Sequence, residues 1–291
     1  MPEGTPARGV ARLAPAKINL ALHVTGRRAD GYHLLDSIAV FADVGDRVEI
    51  VPAERLELSI TGRFASHAPG DPGDLAWRAA AAFFEHTGLP PRAAIRVEKN
   101  IPAGAGLGGG SADAAAVLLA LDELFGTKIS AKSLRAVGLR LGADVPMCLC
   151  GRALRARGVG EQISPLEGFP ALPMVLVWPG RPVSTAEVFK TLARRDNPPL
   201  ADPPAAKSLV EIATWLAACR NDLELPASVI APEIGAVLGV LRATPGCLVA
   251  RMSGSGSACF GLYAAPAAAS AAATVIAQAR PDWWSVATEA R

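Results

Sequence analysis

The sequence predicts an α+β fold built in two parts. Strand-like runs gather ahead of helices rather than alternating strictly with them, which argues against a doubly wound sheet. A second set of elements restarts with the apolar run 174–178, and a break near residues 155–172 divides the chain into 1–160 and 161–291. With 291 residues, 51% of them apolar and 19% charged, the chain can bury a sizeable core and reads as globular.

Taken in order, Ile18, Leu20, Leu22 and Val24 alternate with Asn19, Ala21 and His23, the period of a half-buried strand. Asp30-Gly31 is a turn signal. Further strand patterns occupy 35–41, 47–51, 56–60 and 94–98, with a helix at 75–86 closed by Gly88 and Pro90. A helix over 111–124 follows the glycine-rich segment, and Ser130 is placed to cap another that ends near Gly142. In the second part, helices fall near 185–192, 209–218, 232–242 and 267–279. Strands at 248–253 and 258–263 flank Gly254-Ser255-Gly256-Ser257. Residues 197–204 hold four prolines and read as a surface loop.

Several function classes are disfavoured by composition. A net charge of +2 without a dense basic block does not fit a nucleic-acid partner. Five cysteines without C-x-x-C spacing make neither a disulfide framework nor a zinc site, and read as thiols in a reducing compartment. Residues 1–17 contain Pro2, Pro6 and Pro15 but no apolar core of a signal peptide, and runs such as 114–121 are too short for a membrane span. The expectation is a cytoplasmic protein with no membrane partner.

Glycines 104, 106, 108, 109 and 110 crowd just ahead of a good helix. Each ordered glycine costs about 0.5–1 kcal/mol relative to alanine, so the segment makes sense where something must approach the backbone closely. A helix N-terminus offers unpaired N–H groups and the positive end of its dipole, and phosphate suits both. Tight packing or a flexible lead-in is the alternative. Ser111 reads as a helix N-cap, a phosphate or metal contact, or both. Asp113 reads as a carboxylate stabilising the helix dipole. Gly104, Gly106 and Gly109 satisfy G-x-G-x-x-G, but Asn100, Ile101 and Pro102 separate them from the preceding strand, unlike a dinucleotide fold. No Gly-Lys-[Ser/Thr] follows, and no His-Arg-Asp or Asp-Phe-Gly occurs, which removes the Walker and protein-kinase motifs.

The run Pro102-x-Gly104-x-Gly106-Leu107-Gly108-Gly109-Gly110-Ser111-x-Asp113-Ala114-Ala115 resembles the phosphate loop of the GHMP kinase superfamily, which includes galactokinase, homoserine kinase and mevalonate kinase. Four further stretches resemble the branch of that superfamily that phosphorylates a diphosphocytidyl alcohol. They are Pro15-Ala16-Lys17-Ile18-Asn19-Leu20, Thr25-Gly26-Arg27-Arg28-Ala29-Asp30-Gly31-Tyr32-His33, Leu141-Gly142-Ala143-Asp144-Val145-Pro146 and Met252-Ser253-Gly254-Ser255-Gly256. Asn221-Asp222-Leu223-Glu224 also recurs there. The segments span nearly the whole chain in the family's order.

The resemblance implies a ribosomal-protein-S5-like amino-terminal domain and a ferredoxin-like carboxy-terminal one, with the site in the cleft between them. It implies ATP, Mg²⁺, and transfer to the 2-hydroxyl of a substrate carrying a cytidine diphosphate group, on the non-mevalonate route to isoprenoid precursors. Asp144 is then the base and Lys17 the cation beside it and the acceptor oxygen. ATP lies on Pro102, Ala103, Gly104, Ala105, Gly106, Leu107, Gly108, Gly109, Gly110, Ser111 and Ala112, with Lys99 reaching its base or ribose. Tyr32 stacks on cytosine, His33 bonds its edge, Phe189 forms an opposing wall, and Asn19 adds a substrate contact. Which residues hold the metal is left open, and the oligomeric expectation is a monomer or weak homodimer. His23 stands where the family leads one to expect an aromatic, and residues 197–204 have no clear counterpart. The competing functions are a homoserine or mevalonate kinase, a silent ATP-binding sensor on the same fold, and a dinucleotide oxidoreductase resting on G-x-G-x-x-G alone.

Overall fold

The computed structural model describes residues 9–204 and 208–291; Pro2 and Pro6 lie outside them. The chain forms two compact units that interleave along the sequence. One holds the described residues up to Ala16 with Val44–Ala103 and Gly108–Cys150; the other holds Lys17–Asp43, Gly104–Leu107 and Gly151–Arg291.

Two long strands, β1 (Val10–Arg27) and β2 (His33–Pro52), pair with each other and run through both units. In the first unit, β4 (Ala93–Glu98) lies antiparallel to the end of β2 and parallel to β3 (Glu57–Thr61). Four helices accompany these strands: α1 (Leu75–Thr87), α2 (Gly109–Phe125), α3 (Ala131–Leu141) and α4 (Val145–Cys150). Local chemistry sets their ends. Asp74 caps α1 by accepting from the Ala76 amide, and Ser130 caps α3 by accepting from Ser133. Gly88 and Gly126 close α1 and α2 in the left-handed region. Phe83, Ile95, Leu118 and Leu121 are buried at the centre of this unit.

In the second unit, β5 (Leu154–Gly158) pairs with β2 and with β6 (Gln162–Pro165). Then come β7 (Leu172–Trp178), α5 (Thr185–Thr191), α6 (Leu209–Ala218), α7 (Glu224–Ile230), α8 (Glu233–Ala243), β8 (Cys247–Met252), β9 (Cys259–Tyr263), α9 (Pro266–Ala279) and β10 (Trp284–Ala290). The strands lie in the order β10-β7-β9-β8, all antiparallel, so the last strand sits beside the first. That is the ferredoxin-like βαββαβ arrangement. β7 is buried along its whole length, as its unbroken apolar run Leu-Pro-Met-Val-Leu-Val-Trp demands.

The structure corrects several expectations. β2 is one strand rather than two at 35–41 and 47–51, because Asp46, in the intervening Asp-Val-Gly-Asp, gives its carboxylate to the amides of Asn100 and Ile101 and the chain stays extended. β1 is buried on both faces over Ala16–Val24 rather than half-buried. Its polar face is covered within the second unit: Ser253 bonds the Asn19 amide, Arg251 bonds the Leu20 carbonyl, and Pro198 and Arg220 bond His23. α2 begins at Gly109, two residues before the predicted start, and Gly108 occupies its N-cap in place of Ser111. α4, α7, β5, β6 and β10 were not predicted; the first four are short and two helices carry an internal proline.

Candidate active site

The glycine segment adopts the conformation its composition suggests. Gly104, Gly106 and Gly108 have φ of +67°, +77° and +67°, alternating with buried Ala105 and Leu107. Four successive carbonyls are tied into the second unit: Gly104 accepts from the Val183 amide, Ala105 from the Ala258 amide, Gly106 from the Ser253 hydroxyl and Leu107 from the Lys17 amide. With the carbonyls committed, the loop's remaining hydrogen-bonding capacity is its amides. α2 makes its first internal bond from the Ala112 amide to the Gly108 carbonyl, 2.9 Å, so the amides of Gly109, Gly110 and Ser111 are, among the described residues, its free first-turn donors. A Cβ on Gly106 would meet the Ser253 carbonyl oxygen at 2.4 Å, so only glycine fits there. Ala112 is buried behind the turn, Ser111 is half-buried, and Pro102 and Ala103 lead in.

Lys17 is 4% exposed, so it is not a solvated lysine on an open sheet face. Its ammonium donates to Asn19 Oδ1 at 3.0 Å, while Asn19 Nδ2 donates to the Ser37 hydroxyl at 2.8 Å, and Ser37 in turn to the Ala21 carbonyl. Asn19 therefore aims the lysine. The segment Asn221-Asp222-Leu223-Glu224 braces its surroundings. Asn221 Nδ2 donates to the carbonyls of Met252 and Gly254, Asp222 accepts from the Val24 amide, and Glu224 from the Met252 amide.

His33 stacks on Phe189, ring centroids 4.6 Å apart, and among the described residues its buried Nε2 has no hydrogen-bond partner. Burial first, then the cations Arg27 and Arg195, push the His33 imidazole below its ordinary pKa, so it is neutral at pH 7. Tyr32 follows the Asp30-Gly31 turn and is 64% exposed. Phe189, expected as a wall opposite Tyr32, packs on His33.

The proline-rich loop is held down by His23, whose Nδ1 lies 2.9 Å from the Pro198 carbonyl while Nε2 accepts from the Arg220 amide. That pair of bonds specifies a neutral imidazole with the proton on Nδ1, and burial lowers its pKa accordingly. Further along the loop, buried Arg155 grips Asp36 with two bonds of 2.7 Å and reaches the Leu200 carbonyl and Asp202. A histidine suits position 23 here because it docks 197–204.

In the first unit, half-buried Asp144 immediately precedes α4. Its carbonyl accepts from the Cys148 amide, so the short helix fixes where the residue stands. Lys99 is not a surface lysine: it is 3% exposed, and its ammonium lies between the carboxylates of Asp46 and Asp113. Asp113 sits in the second turn of α2, where Lys99 and not the helix dipole answers its charge. Asp46 and the bracing roles of Ser253, Asn221 and Arg155 escaped the sequence reading. The recurrence of the Asn221 segment and of the stretch 252–256 was the available signal.

All five cysteines are free. Among the described residues no group of three or more His, Cys, Asp or Glu is arranged to hold a metal ion, and no helix is long and apolar enough to cross a membrane.

The model of the GHMP kinases N terminal domain matches residues 74–152, and that of the GHMP kinases C terminal domain matches 204–281. The chain is 54% identical over 273 residues to a 4-diphosphocytidyl-2-C-methyl-D-erythritol kinase of Cereibacter sphaeroides, covering 93% of this chain and 95% of that one. It is 49% identical over 286 residues to the enzyme of the same name from Dinoroseobacter shibae, covering 98% and 96%. Among solved structures, a 4-(cytidine 5'-diphospho)-2C-methyl-D-erythritol kinase superposes with a TM-score of 0.81 at 39% identity, over 97% of this chain and 99% of that one. Family models that match both halves and relatives about half identical over nearly the whole chain lead to one conclusion: the chain belongs to the 4-diphosphocytidyl-2-C-methyl-D-erythritol kinase family of GHMP kinases.

Proposed function

We propose that the protein transfers the γ-phosphoryl group of ATP to the 2-hydroxyl of 4-diphosphocytidyl-2-C-methyl-D-erythritol, giving the 2-phosphate and ADP on the non-mevalonate route to isoprenoid precursors. The kinase class follows from the family, and GHMP kinases use ATP as co-substrate. The observation that carries the substrate is His33. Its neutral ring is held by Phe189 and keeps a buried, unpartnered Nε2, which suits an edge bond to a nucleobase. Tyr32, exposed next to it, supplies a stacking face.

In this reading residues 1–160 contribute the phosphate loop and catalytic groups and 161–291 form the carboxy-terminal domain. The segment 102–112 receives the triphosphate, with the amides of Gly109, Gly110 and Ser111 as the donors at its helix end. Asp144 accepts the proton of the 2-hydroxyl as its oxygen attacks the γ-phosphorus, and the bond from that phosphorus to the β–γ bridging oxygen breaks. Lys17, aimed by Asn19, favours the developing alkoxide. Asn19 also meets the substrate, and Lys99 serves the nucleotide site from its place just ahead of the loop.

Mg²⁺ fits the donor set. It is commonly held by one or two protein oxygens together with phosphates and water rather than by a protein cage. Ser111, with its hydroxyl on the first turn of α2, would hold it, and the ion would neutralise phosphate charge.

The test is a direct competition: ATP-dependent phosphorylation of the diphosphocytidyl alcohol, homoserine and mevalonate by the same preparation. Turnover of the first alone is expected. Turnover of either rival in its place would overturn the assignment.

A further inference from the structure

Residues 100–102 contribute no free amide to a ligand. The N–H groups of Asn100 and Ile101 both donate to Asp46 Oδ1, the second at 2.8 Å, and Pro102 has none. The chain is therefore pinned by one carboxylate just before it enters the glycine loop. Asp46 is 0% exposed, and its other oxygen accepts from Lys99, whose ammonium also reaches Asp113 on α2. Lys99 is itself fixed: its amide bonds the Thr61 carbonyl at 2.7 Å, its carbonyl accepts from the Phe64 amide at 3.1 Å, and Gly62 lies so close that a Cβ there would fall 2.7 Å from the Lys99 amide nitrogen. A Cβ at Gly109, the first residue of α2, would stand 3.6 Å from both Asp46 Oδ2 and Lys99 Nζ. The three charges thus lie directly beneath the helix start on which phosphate is proposed to rest.

We infer that Asp46, Lys99 and Asp113 form a positioning unit for the nucleotide phosphates, in which Asp46 holds residues 100–101 so that the amides from 104 onward face the ligand, and Lys99 cancels carboxylate charge beneath them. The inference rests on the ATP reading above. In this inference all three act through the backbone of the loop rather than by contact with the nucleotide, which takes Lys99, enclosed by Asp46 and Asp113, away from the base or ribose contact that the resemblance implies.

Two features support it. Asp113 Oδ1 is buried and, among the described residues, unpartnered, so this oxygen is not part of a packing network. Burial pushes the Asp113 carboxyl up to about 7, with Lys99 pulling it back and Asp46 adding to the rise. Burial also works against the Lys99 charge, but the two carboxylates outweigh it and keep the ammonium protonated. The negative charge under the loop is therefore smaller than two carboxylates would give, which favours a polyphosphate above it.

The test is Asp46→Asn, an isosteric change that weakens the acceptor for both amides. Nucleotide affinity is read by calorimetry with ATP and Mg²⁺, alongside KM for each substrate, kcat and Tm. Kd and KM for ATP should rise by about tenfold or more while kcat and KM for the alcohol change less than about threefold. A generally loosened protein would shift all four. Should Asp46→Asn not fold, the combined Asp46→Asn, Lys99→Met, Asp113→Asn variant, which leaves no buried charge unpaired, carries the same expectation. Wild-type ATP affinity in a folded variant, or an equal loss in both KM values, would overturn the inference. Absence of ATP binding in the wild type would instead overturn the kinase reading, so the two failures are distinguishable.

Discussion

The imidazole of His33 lies nearly parallel to the ring of Phe189, with centroids 4.6 Å apart and an interplanar angle of 21°. Rings this close leave no room for a third between them. His33 thus meets a ligand with its edge, and Phe189 serves by keeping that edge in place. Phe189→Ala should raise KM for the diphosphocytidyl alcohol by about 3- to 10-fold, the size of an aromatic pairing, with KM for ATP unchanged. Steady-state kinetics with each substrate varied in turn checks this.

Asp144→Asn should retain ATP binding by calorimetry while kcat falls at least about 100-fold, the usual contribution of a placed general base. Unchanged turnover would remove Asp144 from the proton transfer.

Gly106→Ala tests the loop by a single methyl. At φ +77° an L-residue is strained by about 1–2 kcal/mol, and the methyl would also run into the Ser253 carbonyl oxygen at 2.4 Å. Both segments are backbone, so neither yields cheaply. The variant should lose ATP affinity and Tm together, seen by calorimetry and thermal denaturation.

His23 gives a pH dependence with a definite sign. Its folded form is neutral, donating from Nδ1 and accepting at Nε2, and burial holds its pKa below the unfolded value of 6.5. Below pH 6.5 the unfolded chain therefore binds more protons than the folded one, and stability falls as pH drops from there through the folded pKa. Urea midpoints from pH 7.5 to pH 5 should fall more steeply for the wild type than for His23→Gln, whose amide can keep both bonds without titrating. Equal slopes would show that the imidazole is not the linked group.

Legibility in the sequence followed the range of the forces involved. Caps such as Ser130, the glycine turn closing α1, and the left-handed turns of the glycine segment are decided by residues a few positions apart, and they were readable. What lay hidden depends on long-range partners. Asp46 looks like one acidic residue in a turn-like stretch until the chain brings the amides of Asn100 and Ile101 to it. Nothing beside Lys99 in the sequence shows that Asp46 and Asp113 enclose it. Likewise nothing near His23 reveals Pro198, 175 residues away, as the reason a histidine suits that strand. The interleaving of the two units was invisible for the same reason, since a strand such as β2 gives no local sign of passing from one to the other.

The carbonyl oxygen of Ser253 stands where a side chain at position 106 would begin, although 147 residues separate the two in the chain. A side chain at position 106 would have to displace the Ser253 backbone. A chimera that exchanges carboxy-terminal halves between distant kinases of this kind would take the two sides of this contact from different parents, and its glycine turn would have to fit a backbone it was not built against.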